Sequence, residues 1–349
     1  MRCYYLYIMC LLVSCYACSE REIEPTPLPI TQQGDLLYLN LRSGGTDLPP
    51  VGDYGIYCIE HASGTTVSWN APFYLENTEG HFDGDELTLT GNPRYPINDS
   101  LSVFLYYPYN VNNADVQPQN IKVDRKEIKN NLLETISYKY PDYLAGDTTI
   151  SVIGGVPEIP SEATVRLRHL MSRIRFQINN SGTDNITLTS IKLKNITWQG
   201  TINPLMASFF VPDASATTET LTLIENFLVG GAAVGSETKP QHIQIDPIYN
   251  YSDEEASKKD VYDKNFYYYL LVPPLNEADL KNVTLEIDFI RYGSNYTVTV
   301  EMKQINIASW QSGNSYCYTI VFNTYAVDYV DVRIEPWKEE LYIGKVDLE

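Results

Sequence analysis

"VTLEIDFIRYGSNYTVTVEM", residues 283–302, decides the fold. Val283, Leu285, Ile287 and Phe289 alternate with Thr284, Glu286 and Asp288. Tyr296, Val298, Val300 and Met302 alternate in the same way with Thr297, Thr299 and Glu301. A period of two sends one set of side chains to each face of a strand. Arg291-Tyr292-Gly293-Ser294-Asn295 between the two runs reads as a hairpin connection. One wet face and one buried face mark the antiparallel sheets of β-sandwiches.

The same period recurs outward from this hairpin. In Ser315–Asn323, Tyr316, Tyr318, Ile320 and Phe322 fall on one face, and Cys317, Thr319 and Val321 on the other. Val330–Ile334 repeats the pattern and ends at Pro336-Trp337. In the front half the candidate strands are Leu36–Leu41, Tyr54–Ile59, Thr66–Trp69, Glu86–Thr90, Leu101–Tyr107, Val165–Ile178 and Ile186–Trp198. Ser43-Gly44-Gly45, Asp83-Gly84-Asp85 and Asn179–Gly182 supply turns between them. Asp124–Glu162 is less regular, with a short helix expected near Ile128–Leu133 and an excursion through Pro157 and Pro160. The pattern predicts an all-β chain with two sandwich domains in tandem, residues 33–204 and 205–349, divided near Asn203-Pro204.

Composition narrows the function. The chain has 349 residues, 44% hydrophobic, with a formal net charge of -19. That apolar content supports a packed core rather than disorder. The charge argues against nucleic acid, since phosphate binding needs a basic face. Of six cysteines, four lie within the first 18 residues, and only Cys58 and Cys317 remain beyond them. This is neither a disulfide framework nor a zinc spacing. The two read as buried thiols or as one long-range bridge.

The N-terminus reads as an export signal. Arg2 precedes a short apolar run through Val13, shorter than the ~20 residues a membrane span needs. Leu12-Val13-Ser14-Cys15 resembles a bacterial lipoprotein cleavage box. Cys18 is followed by Ser19-Glu20-Arg21-Glu22, which resembles the Ser-plus-acidic tether of Bacteroidales surface lipoproteins. The expectation is a signal peptide over residues 1–17 and acylation (palmitate among the chains) at Cys18, with Cys15 as the alternative. Several acyl chains hold a protein on a membrane where one is marginal. Pro25, Pro27 and Pro29 make residues 18–32 an extended tether.

No catalytic pattern stands out. His61, His81, His169 and His242 form no His-Glu-x-x-His, and neither a nucleophile elbow nor a dinucleotide loop occurs. Asp83-Gly84-Asp85-Glu86 lacks the spaced oxygen donors of a calcium loop and reads as a turn. No cofactor or metal is expected. Arg166, Arg168, His169, Arg173 and Arg175 cluster in an acidic chain, either to receive an acidic partner or to pair with acidic neighbour strands. The 28 tyrosines, including Tyr106, Tyr107, Tyr109 and Tyr267–Tyr269, are either sheet packing or platforms for sugars.

Several segments appear in a telling order: Gly52–Tyr57, Trp69-Asn70, Phe104–Tyr109, Arg168–Ile174, Tyr267–Pro273, Gly313–Tyr318 and Ile334–Trp337. The series resembles the fimbrillin family of Bacteroidales, subunits of type V pili. The resemblance implies two transthyretin-like Greek-key β-sandwiches, no catalysis, lipoprotein export and assembly at the outer membrane surface. It also implies that in stalk subunits an arginine-specific protease removes the first strand. The exposed groove then accepts a strand from another subunit. An unpaired sheet edge over an apolar trough would take such a strand.

Arg42, between Leu36–Leu41 and Ser43-Gly44-Gly45, is the candidate cleavage site, and Leu37, Leu39 and Leu41 mark the groove. Arg42 is equally an ordinary strand-end arginine of a lipid-held anchor subunit. Leu341-Tyr342-Ile343 in the tail is either part of a donor strand or a final sheet edge. Asp99-Ser100-Leu101 and Asp147-Thr148-Thr149 resemble O-glycosylation acceptors of this bacterial group. Partners are then other fimbrial subunits, the outer membrane through the lipid, and a host protein or glycan. A second reading is a surface glycan-binding lipoprotein of a polysaccharide-uptake system, with Trp69, Trp198 or Trp310 as platforms.

Overall fold

The computed structural model of the chain describes residues 34–43, 49–70, 72–124, 126–130, 135–139, 141–197, 199–206, 209–222, 228–229, 232–233, 243–245, 268–305, 307–322 and 327–336. Up to His169 the strands are β1 (Asn40–Ser43), β2 (Gly52–His61), β3 (Leu75–Phe82), β4 (Leu87–Leu89), β5 (Asn98–Tyr107), β6 (Val116–Gln117), β7 (Asn120–Val123), β8 (Lys126–Asn130), β9 (Thr135–Lys139), β10 (Leu144–Ile153), β11 (Val156–Pro157) and β12 (Thr164–His169). Beyond it they are β13 (Ser172–Asn180), β14 (Ile186–Thr197), β15 (Gly200–Ile202), β16 (Val211–Pro212), β17 (Thr218–Thr222), β18 (Leu228–Val229), β19 (Ala232–Ala233), β20 (Ile243–Ile245), β21 (Tyr268–Val272), β22 (Thr284–Arg291), β23 (Ser294–Glu301), β24 (Asn314–Phe322) and β25 (Val327–Pro336). The chain is all-β, as its alternating pattern predicts. Among the described residues no helix is long and apolar enough to cross a membrane.

The opening stretch folds as predicted. β22 and β23 pair antiparallel without a break from Thr284↔Glu301 to Arg291↔Ser294. Tyr292 (φ 52°) and Gly293 (φ 73°) close the hairpin. Two consecutive left-handed residues give the turn whose twist matches that of the flanking strands. Leu285, Ile287 and Phe289 are buried while Glu286 and Asp288 lie between them on the outer face.

That outer face is tied together by charge. Lys192 Nζ lies 3.0 Å from Glu286 Oε1 and 2.6 Å from Asp288 Oδ2, and Lys194 also pairs with Glu286. Ser190 and Thr297 donate hydroxyl hydrogen bonds to Asp288. Partial burial pushes the Asp288 carboxyl upward, but bonds from Lys192, Ser190 and Thr297 outweigh it and hold it at about 2. A depressed folded value means stability that is full above the ordinary 3.8 and is lost as pH falls toward about 2. Asp288→Asn is therefore expected to cost about 1–2 kcal/mol at pH 7 and almost nothing near pH 2. Urea melts of both proteins across that range check it.

The sheet that bears on function runs β1-β12-β10-β5-β2-β3-β4, with β11 beside β10. Its central strands are buried on both faces. Tyr54, Ile56, Cys58, Leu101, Val103 and Leu105 enter one apolar cluster with Val165 and Leu167. Tyr57, Phe104, Tyr106 and Ala145 enter a second, shared with Ile174, Phe176, Trp310 and Tyr318. Gly55 makes room for this arrangement, since a Cβ there would lie 2.0 Å from the Tyr106 ring. That ring is held by its hydroxyl, which donates to Asn77 Oδ1 at 2.6 Å. Gly55→Ala is expected to lower stability by about 2 kcal/mol through overpacking, as read from a denaturant midpoint.

Four readings of the sequence need correction. The expected strand Leu36–Leu41 is strand only from Asn40, where β1 begins; Leu36 makes an isolated bridge with Arg94, and Leu37–Leu39 belong to no strand. The helix expected near Ile128–Leu133 is not formed over Ile128–Asn130, which lies in β8 and pairs with β9 from Lys126↔Lys139 to Asn130↔Thr135. Pairing satisfies the backbone there, and Asn is a weak helix former; residues 131–134 lie outside the described ones. Thr66–Trp69 is a loop. The run Val165–Ile178 is two strands, because the chain leaves one sheet at Leu170 and joins another at Ser172. β13 and β14 then pair with β21, β22 and β24, so hydrogen bonding crosses residue 204.

Candidate functional site

The segment Gly34–Ser43 lies across the edge of the main sheet. Its residues alternate as the sequence suggests. Leu37 and Leu39 are 6% and 4% exposed inside the cluster of Tyr54, Ile56 and Leu101, and Leu41 packs half-buried against it. Leu36, Tyr38 and Arg42 face solvent. The structure thus brings Leu37, Leu39 and Leu41 together on one face, in a trough floored by the sheet.

Backbone bonds seat the segment. Asp35 N–H donates to the Gly155 carbonyl (2.9 Å), Leu37 N–H to that of Pro93 (2.8 Å), and Tyr95 N–H to that of Asp35 (2.9 Å). Arg94 Nη1 donates to the Gly34 carbonyl at 2.8 Å and Tyr95 Oη to the Tyr38 carbonyl at 2.7 Å. The rings of Tyr38 and Tyr95 meet edge-on at 5.7 Å. Burial and the neighbouring Tyr38 push the Tyr95 hydroxyl well above its ordinary range. Gly34 passes so close to Gly155 that a Cβ on the latter would stand 2.4 Å from the Gly34 Cα. Sequence reading missed this crossing; glycines more than a hundred residues apart give no local sign of meeting.

The segment ends in β1, which pairs in parallel with β12 over Asn40↔Thr164 to Ser43↔Leu167. Among the described residues β1 is the last strand of its sheet and is paired on one side only. Burying Leu37, Leu39 and half of Leu41 yields about 2 kcal/mol for each full side chain. Ordering the backbone costs about 1–2 kcal/mol per residue. The segment is therefore weakly held relative to the strands inside the sheet. Arg42 sits exposed in this edge strand, just before residues 44–48, which lie outside the described ones.

The other candidate residues do not converge. Arg166 and Arg168 point outward from β12, His169 Nδ1 meets Asp142 at 3.0 Å, Arg173 Nε donates to Ser315 Oγ at 3.2 Å, and Arg175 is buried. The basic cluster is split between two sheets. Asp83 accepts from the backbone N–H groups of Asp85 and Glu86, as a turn does. Those bonds, Glu86's first, hold its carboxyl below the usual range. No metal-holding group of His, Cys, Asp and Glu occurs among the described residues. Cys58 and Cys317 are both buried and not joined in a disulfide; burial pushes the Cys58 thiol far up.

The aromatic platforms are mostly core. Trp310 is 0% exposed and its indole N–H donates to Tyr318 Oη at 2.8 Å. Trp69 is half-buried against Phe104, and Tyr106 is buried. Trp198 and Tyr267 lie outside the described residues, as do the side chains of Tyr268 and Tyr269. Of the glycosylation-like sites, Ser100 is 3% exposed and the Thr148 hydroxyl donates to the Glu162 carbonyl. Cys15 and Cys18 also lie outside the described residues.

One contact has a nucleophile–base look that the sequence did not signal. His61 Nε2 lies 2.8 Å from Ser102 Oγ. Ser102 is 2% exposed and shares its hydroxyl with Thr149, while His61 Nδ1 faces the Ala62 carbonyl and Thr65 Oγ1. A triad would place an orienting carboxylate there.

Comparison with known proteins adds to this geometry. A crystal structure of a presumptive cell adhesion protein from Bacteroides uniformis is 14% identical at a TM-score of 0.52, covering 87% of this chain and 98% of that one. One from Bacteroides ovatus, similarly described, is 16% identical at 0.51, covering 88% and 99%. The tip fimbrial protein Mfa3 of Porphyromonas gingivalis, with C-terminal truncation, is 12% identical at 0.42, covering 87% and 99%. At such identities the likeness to the two Bacteroides structures is one of fold alone. Among curated proteins there is no match. The fimbrillin-like family model matches residues 53–337, so Gly34–Ser43 lies upstream of the matched stretch. By that match over most of its length, the chain belongs to the fimbrillin-like family.

Proposed function

We propose that this chain is a structural or adhesive subunit of a cell-surface fimbria, assembled by exchange of strands between subunits. In this reading it is exported as a lipoprotein through Cys18, or Cys15, to the outer membrane. An arginine-specific protease then cuts after Arg42. The residues up to Arg42 leave, and a strand from a neighbouring subunit takes their place.

The observation that carries the reading is the seating of Gly34–Ser43. Leu37 and Leu39 fill an apolar trough, yet the segment joins the sheet only through the four-residue edge strand β1, in which Arg42 is exposed. Its loss would uncover apolar side chains and the backbone groups of β12 together. A neighbour's strand satisfies both. Family membership and the fold of the adhesion-protein neighbours support the fimbrial setting. The burial of Trp310 and Tyr106 weakens the glycan-platform alternative.

The test is trimming in vitro. Treating the full chain with an arginine-specific protease is expected to give a species beginning at Ser43 that forms multimers with rising concentration. A trimmed chain that remains monomeric, or one never cut at Arg42, rejects the reading.

A further inference from the structure

The edge of the main sheet places two arginines side by side. β1 runs parallel to β12 with Arg42 in register with Arg166. In-register residues of parallel neighbours point to the same face, and neighbouring strands lie about 4.8 Å apart. Leu41 and Val165, one residue earlier, pack toward the apolar cluster, so Arg42 and Arg166 emerge together on the opposite face, both exposed. Among the described residues neither has an ion-pair or hydrogen-bond partner. The carboxylate beside them, Asp147, lies 3.9 Å from Arg168, two residues along β12, and Arg168 also donates to the Pro204 carbonyl.

Like charges directly opposite each other on neighbouring strands destabilise the pairing, and opposite charges stabilise it. The resident strand is thus mismatched at the one outward position where β12 offers an unused cation. We propose that Arg166 is the specificity residue of this groove: it loosens the resident strand through Arg42 and selects an incoming strand with an acidic residue at that register. The partner is then an extended strand with apolar residues facing inward and Asp or Glu facing Arg166. A second copy of this chain, with 44 acidic against 25 basic residues, is a ready source of such a strand. This rests on the strand-exchange reading above and names the partner's chemistry.

A charge cycle on the full chain tests it. Arg42→Glu and Arg166→Glu each turn the repelling pair into an attracting one, and the double variant restores repulsion with the signs inverted. Amide exchange of Leu41–Ser43 is expected to slow about fivefold in each single variant, near the upper limit for one cross-strand pair. It returns to the wild-type rate in the double variant. In about 1 M salt, where the screening length is about 3 Å, the differences collapse. A labelled peptide of residues 35–43 carrying Arg42→Glu is likewise expected to bind a Leu39→Asp chain, whose own segment no longer fills the trough, about fivefold more tightly than the unaltered peptide. Single variants that exchange like wild type, a double variant that stays slow, or equal binding of the two peptides overturns the proposal. The readouts need no cleavage. A native chain never trimmed at Arg42 would remove the maturation step and leave the charge cycle standing.

Discussion

Leu39→Asp is expected to release the Gly34–Ser43 segment while the rest of the chain stays folded. Leu39 is 4% exposed among Tyr54, Ile56 and Leu101. A carboxylate has no partner in that setting and is driven out toward water. Loss of the buried leucine alone costs about 2–5 kcal/mol, which exceeds what a singly paired edge strand retains. The expected result is free exchange of the amides at 37–43, a rise of about 100-fold in their opening. The amides of β5 and β2 keep their protection. The same variant is expected to expose Arg42 to protease at a correspondingly higher rate. If the whole chain unfolds together, or if the segment's amides stay protected, Gly34–Ser43 is an integral part of the fold and not a replaceable segment.

Trp310→Ala is expected to cost the most of any single truncation, about 3–5 kcal/mol. Trp310 is fully buried, its backbone N–H donates to the Leu275 carbonyl at 2.9 Å, and its indole N–H serves the Tyr318 hydroxyl. Tyr318 in turn stacks on Phe176 at 6.0 Å. Truncation leaves a large cavity and an orphaned buried hydroxyl at once. Trp310→Phe is expected to restore most of the packing and still to cost about 1–2 kcal/mol for the unpaired hydroxyl. Denaturant titration reads both. A loss below about 1 kcal/mol for the alanine variant, within the range of surface substitutions, would return Trp310 to the surface and revive the sugar-platform reading.

What the sequence disclosed follows from where each strand finds its partners. β22 and β23 pair with each other across two turn residues, and their faces are apolar and polar, so a local pattern held the whole arrangement. β24 was equally plain from Tyr316, Tyr318, Ile320 and Phe322. β3 was not legible, because Glu76, Asn77 and Glu79 interrupt its pattern and its pairing with β2 is irregular between Ile56 and Cys58. β10 was also missed, although it pairs with β5 over ten residues; Gly146, Asp147, Thr148 and Thr149 carry little apolar signal. The break at Leu170 hides inside one continuous run because the chain changes sheets without a turn residue.

The candidate site divides in the same way. The alternation of Leu37, Leu39 and Leu41 was visible, since it is a property of one short segment, although only Leu41 of the three lies in β1. The meeting of Gly34 with Gly155, and of Arg42 with Arg166, was not. Both are contacts between segments more than a hundred residues apart, and parallel pairing leaves no hairpin turn to announce it.

Intact-mass and N-terminal analysis of the protein taken from its native cell surface tests the central claim most directly. The account predicts a chain that begins at Ser43 and carries no lipid. A chain that is otherwise whole and acylated at Cys18 or Cys15 would contradict it, and would leave Gly34–Ser43 as a permanent segment of a lipid-held protein.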